Sequence, residues 1–253
     1  MLIELLNEDY DDLRKGRQHI VHSAAQLLFD RLDAAREKAQ MLPVLDELPW
    51  KVRRKLGEIL EVECREDLDA RNRQAAQGVE GRTIVIEAAR GGAHGSSFPL
   101  MPPHGYASAF QTLSPAILER AVVLYIWVDP AESRRKNIER GLPNAQGSIL
   151  HHSVPMEVML GQYGCDDMAW LLEQSGRPDM IRVDRVVENQ GRFVAKTYWL
   201  PTARFDNRVD KTTFVRKPRD QWKPEEIKAM HEELSRALQT LLKGRQALGS
   251  IHD

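Results

Sequence analysis

Two apolar runs constrain this chain most. "TIVIEAA" (Thr83–Ala89) and "AVVLYIWV" (Ala121–Val128) are β-branched and almost uninterrupted by polar residues. A strand with one wet face alternates apolar and polar residues, whereas a strand covered on both faces does not. Both runs therefore predict strands buried in a parallel sheet, and parallel neighbours need a crossover between them. The interval holds a Gly/Pro/His loop, "GGAHGSSFPLMPPHGY", and a short helix at "SPAILER", with Ser114 as N-cap and Pro115 at the first helical position. After the second run, "DPAESRRKNIERG" predicts a helix capped by Asp129, with Pro130 in its first turn, Glu132 closing a capping box and Gly141 as its stop. This alternation predicts an α/β crossover architecture.

The residues before the first run read as helix. "RQHIVHSAAQLLFDRLDAAREKAQ" keeps Ile20, Ala24, Leu27, Leu28, Leu32 and Ala35 on one face, and Pro43 and Pro49 break the pattern. From Trp50 to Gln77, Val52, Leu56, Leu60, Cys64 and Leu68 recur every four residues, with Ile59 beside them and charge on the opposite face. A helix of that length spans about 40 Å, long for covering one face of a small sheet. Further on, "DMIRVDRVVENQGRFVAKTYWLP" predicts two strands around a turn at Asn189–Gly191, and "TARFDNRVDKTTF" a polar loop or edge segment. "KPEEIKAMHEELSRALQTLLKG" closes the chain as an amphipathic helix with Glu225 and Glu226 in its first turn.

Composition removes several function classes. The 253 residues carry a net charge of −1, so no global field draws the chain to nucleic acid or anionic lipid. No apolar run reaches the length of a membrane span, and the acidic start "MLIELLNEDYDDLRKG" does not read as a secretory leader. Two distant cysteines, Cys64 and Cys165, make neither a disulfide framework nor a cysteine zinc site. A cytoplasmic protein is the expectation.

Chemistry is expected where the strands end, because open parallel sheets bind ligands outside their carboxyl edges. Glu87 and Arg90 follow the first run, and Asp129 the second. A carboxylate there suits a metal ion or a nucleophile, and an arginine suits a phosphate. Arg134, Arg135, Lys136 and Arg140 crowd the next helix, where guanidinium groups can neutralise a transferring phosphoryl group.

The order "IVIEAARGG", then "AVVLYIWVDPAESRRKNIERG", then "FDNRVDKTT" resembles the second half of a P-loop kinase of the nucleoside/nucleotide-kinase type, over roughly residues 82–214. The resemblance implies that Glu87 is the acid at the end of the Walker B strand, positioning magnesium. It implies that Arg134, Arg135 and Arg140 are lid arginines, and that Asp206, Asn207 and Arg208 contact the nucleotide. ATP and magnesium follow as cofactors. The phosphate-cradling GxxxxGK[ST] is missing: none of the 16 glycines begins it, and Glu8, Asp9, Asp11 and Asp12 would repel a polyphosphate. Either that loop lies upstream of Met1, or this is a relative that no longer transfers phosphate, or an ordinary α/β sheet shares the order.

Plainer readings stand beside these. Glu87 can be a strand-end carboxylate paired with Arg90, and the basic helix a solvated face. "GGAHGSS" (Gly91–Ser97) can form an anion-binding nest, a hydrolase site around Ser96 and His94, or a flexible substrate loop. His94, His104, His151 and His152 lack metal-ligand spacing. Asp166 and Asp167 read as a helix cap, and the polar residues after Phe205 as turn formers.

The expected fold is thus α/β: a three-layer, mostly parallel sheet with flanking helices, a helical N-terminal region (1–80), and a kinase-like core (81–253) with an added antiparallel hairpin. The expected function is a kinase-like nucleotide-binding protein, a phosphotransferase if a P-loop is supplied by further residues. It would bind a nucleotide or another phosphorylated small molecule. The alternative is a non-catalytic interaction or regulatory protein that uses helix 50–77, with homo-oligomers forming through that helix.

Overall fold

The computed structural model describes residues 1–141 and 153–249. Two compact units divide the chain: Met1–Ala88 with Thr112–Ile117, and Ala89–Gln111 with Leu118–Asp253.

The first unit is helical: α1 (Leu2–Lys15), α2 (Ala24–Lys38) and α3 (Trp50–Gln77). Gly16 ends α1 in the left-handed conformation, φ 66°, returning its amide to the Asp12 carbonyl. The helix expected over 17–40 begins only at Ala24, because Ser23 caps it by accepting the Gln26 amide at 3.2 Å. Ile20, expected on the apolar face, is 94 % exposed in consequence. Ala24, Ala25, Phe29 and Ala35 of α2 are buried, as are Leu68 and Ala75 of α3. Gly57 lets the two helices approach: a Cβ there would lie 2.6 Å from the Gln26 side-chain nitrogen. The connection through Pro43 is organised by Asp33, whose buried carboxylate accepts the amides of Val44, Leu45 and Asp46.

The second unit contains α4 (Gly105–Thr112 in its greater part), β1 (Val123–Trp127), α6 (Pro130–Arg140), α7 (Met156–Gln162), α8 (Met168–Gln174), β2 (Met180–Asn189), β3 (Arg192–Asp206) and α9 (Pro224–Gly249); the single turn α5 (Pro115–Leu118) precedes β1. The expected hairpin is present. Asn189 pairs with Arg192, and Gln190 and Gly191 turn the chain with φ of 50° and 76°. β3 changes neighbours after Pro201. Up to Pro201 it pairs antiparallel with β2; from Thr202 to Asp206 it pairs parallel with β1. Proline has no amide hydrogen to donate, and it stands where the ladder passes from one neighbour to the other. α9 packs on β3 around Ala203, Ala237 and Leu241, with Gly244 against the Pro201 ring.

The chain is therefore mixed α/β, with helices flanking a three-stranded mixed sheet of order β1-β3-β2. Four local expectations change. Ala121–Val128 yields β1, but not as a strand buried on both faces: Val122, Leu124 and Ile126 are exposed, and among the described strands β1 pairs with β3 alone. Thr83–Ala89 belongs to no strand: Ile84, Val85 and Ile86 are 39 %, 85 % and 38 % exposed, and no described strand pairs with its backbone. "TARFD" is no loop or edge segment but the parallel part of β3, with Thr202, Ala203 and Phe205 buried in alternation with exposed Arg204 only beyond the Thr202–Ala203 pair. Glu132 closes no capping box, since its carboxylate is drawn to Arg135. Among the described residues no helix is long and apolar enough to cross a membrane.

Candidate functional site

β1 and β3 run in the same direction and end together, Trp127 opposite Asp206. The Asn207 amide then donates to the Trp127 carbonyl at 2.9 Å and holds the two exits side by side. From one exit comes Asp129 and α6; from the other comes the loop Asn207–Thr212.

That loop is built from its own polar side chains. Asn207 is buried; its Oδ1 accepts the Lys211 amide at 2.7 Å and its Nδ2 donates to Thr212 Oγ1 at 3.1 Å. Arg208 forks onto Asp206, with Nε 3.0 Å from Oδ1 and Nη2 2.8 Å from Oδ2. This guanidinium, with the Arg208 amide, holds the Asp206 carboxyl well below the ordinary carboxylate range. Asp210 accepts the amides of Thr212 and Thr213 and the Lys136 ammonium at 3.0 Å, which ties the loop to α6. Burial alone would raise the Asp210 pKa; the Thr213 side chain, Lys136 and the two amides outweigh it and lower it. Beneath the loop, buried Glu233 of α9 takes the Lys211 ammonium at 3.0 Å and the Asp206 amide at 3.3 Å.

An aromatic plane lies at the same end. The Arg208 guanidinium is 3.7 Å from the centroid of the Trp127 ring, and that of Arg204 is 5.3 Å from it. Both distances fall within cation–π range. One turn into α6, Arg134 is half-exposed and has no ion pair among the described residues. Arg135 differs: Glu132 and Glu139 take it up on the exposed side of the helix. Further back on β1, the Tyr125 hydroxyl donates to Asp166 at 2.9 Å; burial, then the Asp166 charge, raises its pKa.

The expected residues divide accordingly. Asp206, Asn207 and Arg208 stand at the strand ends, and Arg134, Arg135 and Arg140 all fall on α6, which Lys136 ties to the loop through Asp210. Asn207 is occupied in making the turn. Glu87 sits in the first unit on the unpaired segment, exposed and without an ion pair among the described residues. Arg90 sits in the second unit, where its backbone amide meets the Tyr106 hydroxyl. Among the described residues no three His, Cys, Asp or Glu side chains gather closely enough to hold a metal ion.

The Gly91–Ser97 loop does not form an open nest. Its amides at Gly92, His94 and Ser96 already donate to the carbonyls of Cys165, Leu160 and Ala93. Asp166 and Asp167 begin α8 as expected, Asp167 at the N-cap position and Asp166 accepting the Met168 amide at 3.0 Å. The fully buried Asp167 carboxylate serves a second helix, accepting the amides of Tyr106 at 2.6 Å and Ala107 at 3.0 Å at the start of α4. His151 and His152 lie outside the described residues.

Sequence reasoning missed Trp127, Arg204 and Glu233. Trp127 was hidden inside an apolar run, and Arg204 in a stretch read as loop. Glu233 gave no signal, because an acid on an amphipathic helix reads as surface. No protein family, no curated protein and no solved structure matches this chain.

Proposed function

We propose that this chain is a kinase-like nucleotide-binding protein, and that a phosphorylated nucleotide sits at the carboxyl ends of β1 and β3. One observation carries the reading: Trp127, ending a parallel strand, is faced by the guanidinium groups of Arg208 and Arg204. Guanidinium groups offer paired hydrogen bonds to phosphate oxygens; Arg204 is the one at the ring without an ion pair among the described residues, while Arg208 lies on the ring and is forked onto Asp206. Arg134 adds a third cation from α6. Magnesium enters as the ion that ATP carries on its own phosphates, which needs few protein ligands.

Phosphoryl transfer asks for more than binding. It needs a phosphate-cradling loop that these 253 residues do not contain, so transfer belongs to this chain only together with a loop supplied by further residues. Glu87, as the acid that positions magnesium, and Arg90, as a phosphate contact, belong to that version. So does a three-layer, mostly parallel sheet, of which the parallel β1–β3 pair would be the nucleus.

The test is calorimetric titration of the 253-residue chain with ATP, with and without magnesium, at low salt. Saturable binding that falls in Trp127→Ala supports the reading. An absence of heat up to millimolar ATP, with the chain folded, removes it.

A second reading has its own observation. α3 exposes Val52, Ile59 and Val62 at 50 %, 66 % and 72 %. Three and seven residues apart, they share a stripe on the surface of a 28-residue helix. Pairing of this stripe between two copies would make the chain a homo-oligomeric interaction protein.

A further inference from the structure

The first unit contains a cavity of about 160 Å³, roughly five waters of liquid volume. Its polar wall includes Asp9, Asp12, Arg17, His19, Arg71 and Asn72; its apolar wall includes Leu6, Leu13, Ile84 and Ile86. The last two come from the extended segment that forms no strand. In an extended chain alternate side chains share a face: Ile84 and Ile86 turn to the cavity while Val85 is left 85 % exposed. The run "TIVIE" thus roofs a hole instead of filling a sheet.

The polar wall is held in place. Asn72 clamps the His19 backbone from both sides, accepting its amide at 2.8 Å and donating to its carbonyl at 2.9 Å. The His19 ring lies with Nε2 2.7 Å from Asp12 Oδ2. A carboxylate only accepts, so Nε2 bears the hydrogen. Groups fixed in this way lose little freedom when a ligand arrives.

Charge decides what that ligand is. The lining carboxylates Asp9 and Asp12 are met by three guanidinium groups: Arg31 and Arg71 on Asp9, and Arg17 on Asp12. Glu8, which shares Arg31, has Lys38 of its own. Asp11, which Arg17 also meets at 3.5 Å, has Arg14 and Lys15. The lining itself is balanced, Arg17 and Arg71 against Asp9 and Asp12, and the surplus of positive charge comes from the surrounding cluster, six cations against four carboxylates. The pKa of Arg71 is lowered by burial first, with Asp9 compensating only in part and Arg31 opposing it.

We propose that this cavity binds a small organic anion, with its carboxylate head against Arg71 and Arg17 and a short apolar stem under Ile84 and Ile86. The site is separate from the strand ends of the second unit, and its failure would leave the nucleotide reading untouched.

The test is an NMR titration of the ¹⁵N-labelled full chain with butanoate, and with butan-1-ol as its uncharged counterpart. The expected result is saturable shifts of the His19 and Asn72 signals with butanoate, and binding at least about tenfold weaker for the alcohol, near 1.4 kcal/mol. Arg71→Met is expected to weaken butanoate by a similar factor. Because Arg71 also ties α3 to Asp9, Ile86→Trp is measured in parallel; it fills the cavity from the exposed segment and leaves every ion pair intact. Shifts that grow without saturation, or unchanged butanoate affinity in folded Ile86→Trp, would overturn the proposal.

Discussion

Glu61, in the middle of α3, accepts the Ser23 hydroxyl at 2.7 Å while Ser23 is itself capping α2. The same carboxylate takes the amides of Ala24 and Ala25 at 3.0 and 3.1 Å, so a charge from one helix closes the start of another. Ser23, then these two amides, lower the Glu61 pKa from 4.5 to about 2. A depressed folded-state pKa means that the contribution is complete above the unfolded value and is lost as pH falls toward the folded one. Glu61→Ala is expected to cost about 1–2 kcal/mol, the usual size of a lost cap. Urea denaturation should show that cost in full at pH 7 and shrinking between pH 4.5 and about 2. An equal loss at both ends of that range would mean that packing, and not the charge, is responsible.

Gly105 has φ +77°, and a Cβ added to it would come within 2.5 Å of Asp167 Oδ2. Gly105→Ala therefore meets backbone strain and displaces the buried carboxylate that starts α4. Thermal unfolding is expected to show a loss of about 1–3 kcal/mol. Asp167→Asn, which keeps one acceptor, should cost less than Gly105→Ala; the reverse order would mean that the cap matters more than the space.

At the strand ends the arginines should not be equivalent. Arg204→Ala, which removes the guanidinium beside Trp127 that has no ion pair among the described residues, is expected to weaken ATP about tenfold, near 1.4 kcal/mol. Arg135→Ala should change it by less than about twofold, since Glu132 and Glu139 already occupy that side chain. Calorimetry on both variants checks the pair of outcomes, and equal losses would argue for a diffuse basic surface.

The exposed stripe on α3 gives a separate expectation. If two copies pair there, Ile59→Asp should convert a concentration-dependent dimer to a monomer in sedimentation velocity without lowering the unfolding midpoint. A wild-type chain that sediments as a monomer at all concentrations removes that reading.

Much of this was legible in the residues, and the failures share a cause. The span of α3, the hairpin turn at Gln190–Gly191 and the Pro-initiated α6 follow from local signals: periodicity, positive-φ residues and a proline in the first turn. Thr83–Ala89 misled because an unbroken apolar run was read as covered on both faces, whereas only Ile84 and Ile86 turn to the cavity and Val85 is left exposed. "TARFD" misled in the other direction. Its charged residues suggested a surface loop, yet Arg204 lies against the Trp127 ring and Asp206 is satisfied by Arg208 at the strand end. Glu61 and Asp167 work on helices distant in sequence, and spacing along the chain holds no trace of such a partner.

The division of β3 between two neighbours sets an order of events. Its first part meets β2 across a two-residue turn, and hairpins of that kind close in about 1–10 μs. Its second part must find β1, from which α6, α7, α8 and β2 separate it along the chain, and such distant contacts form late. Removing side-chain bulk in the hairpin, as in Val183→Ala, should slow folding, while Phe205→Leu should mainly hasten unfolding; stopped-flow kinetics distinguishes them. The strand would then act as a template that is half-formed before its second partner arrives.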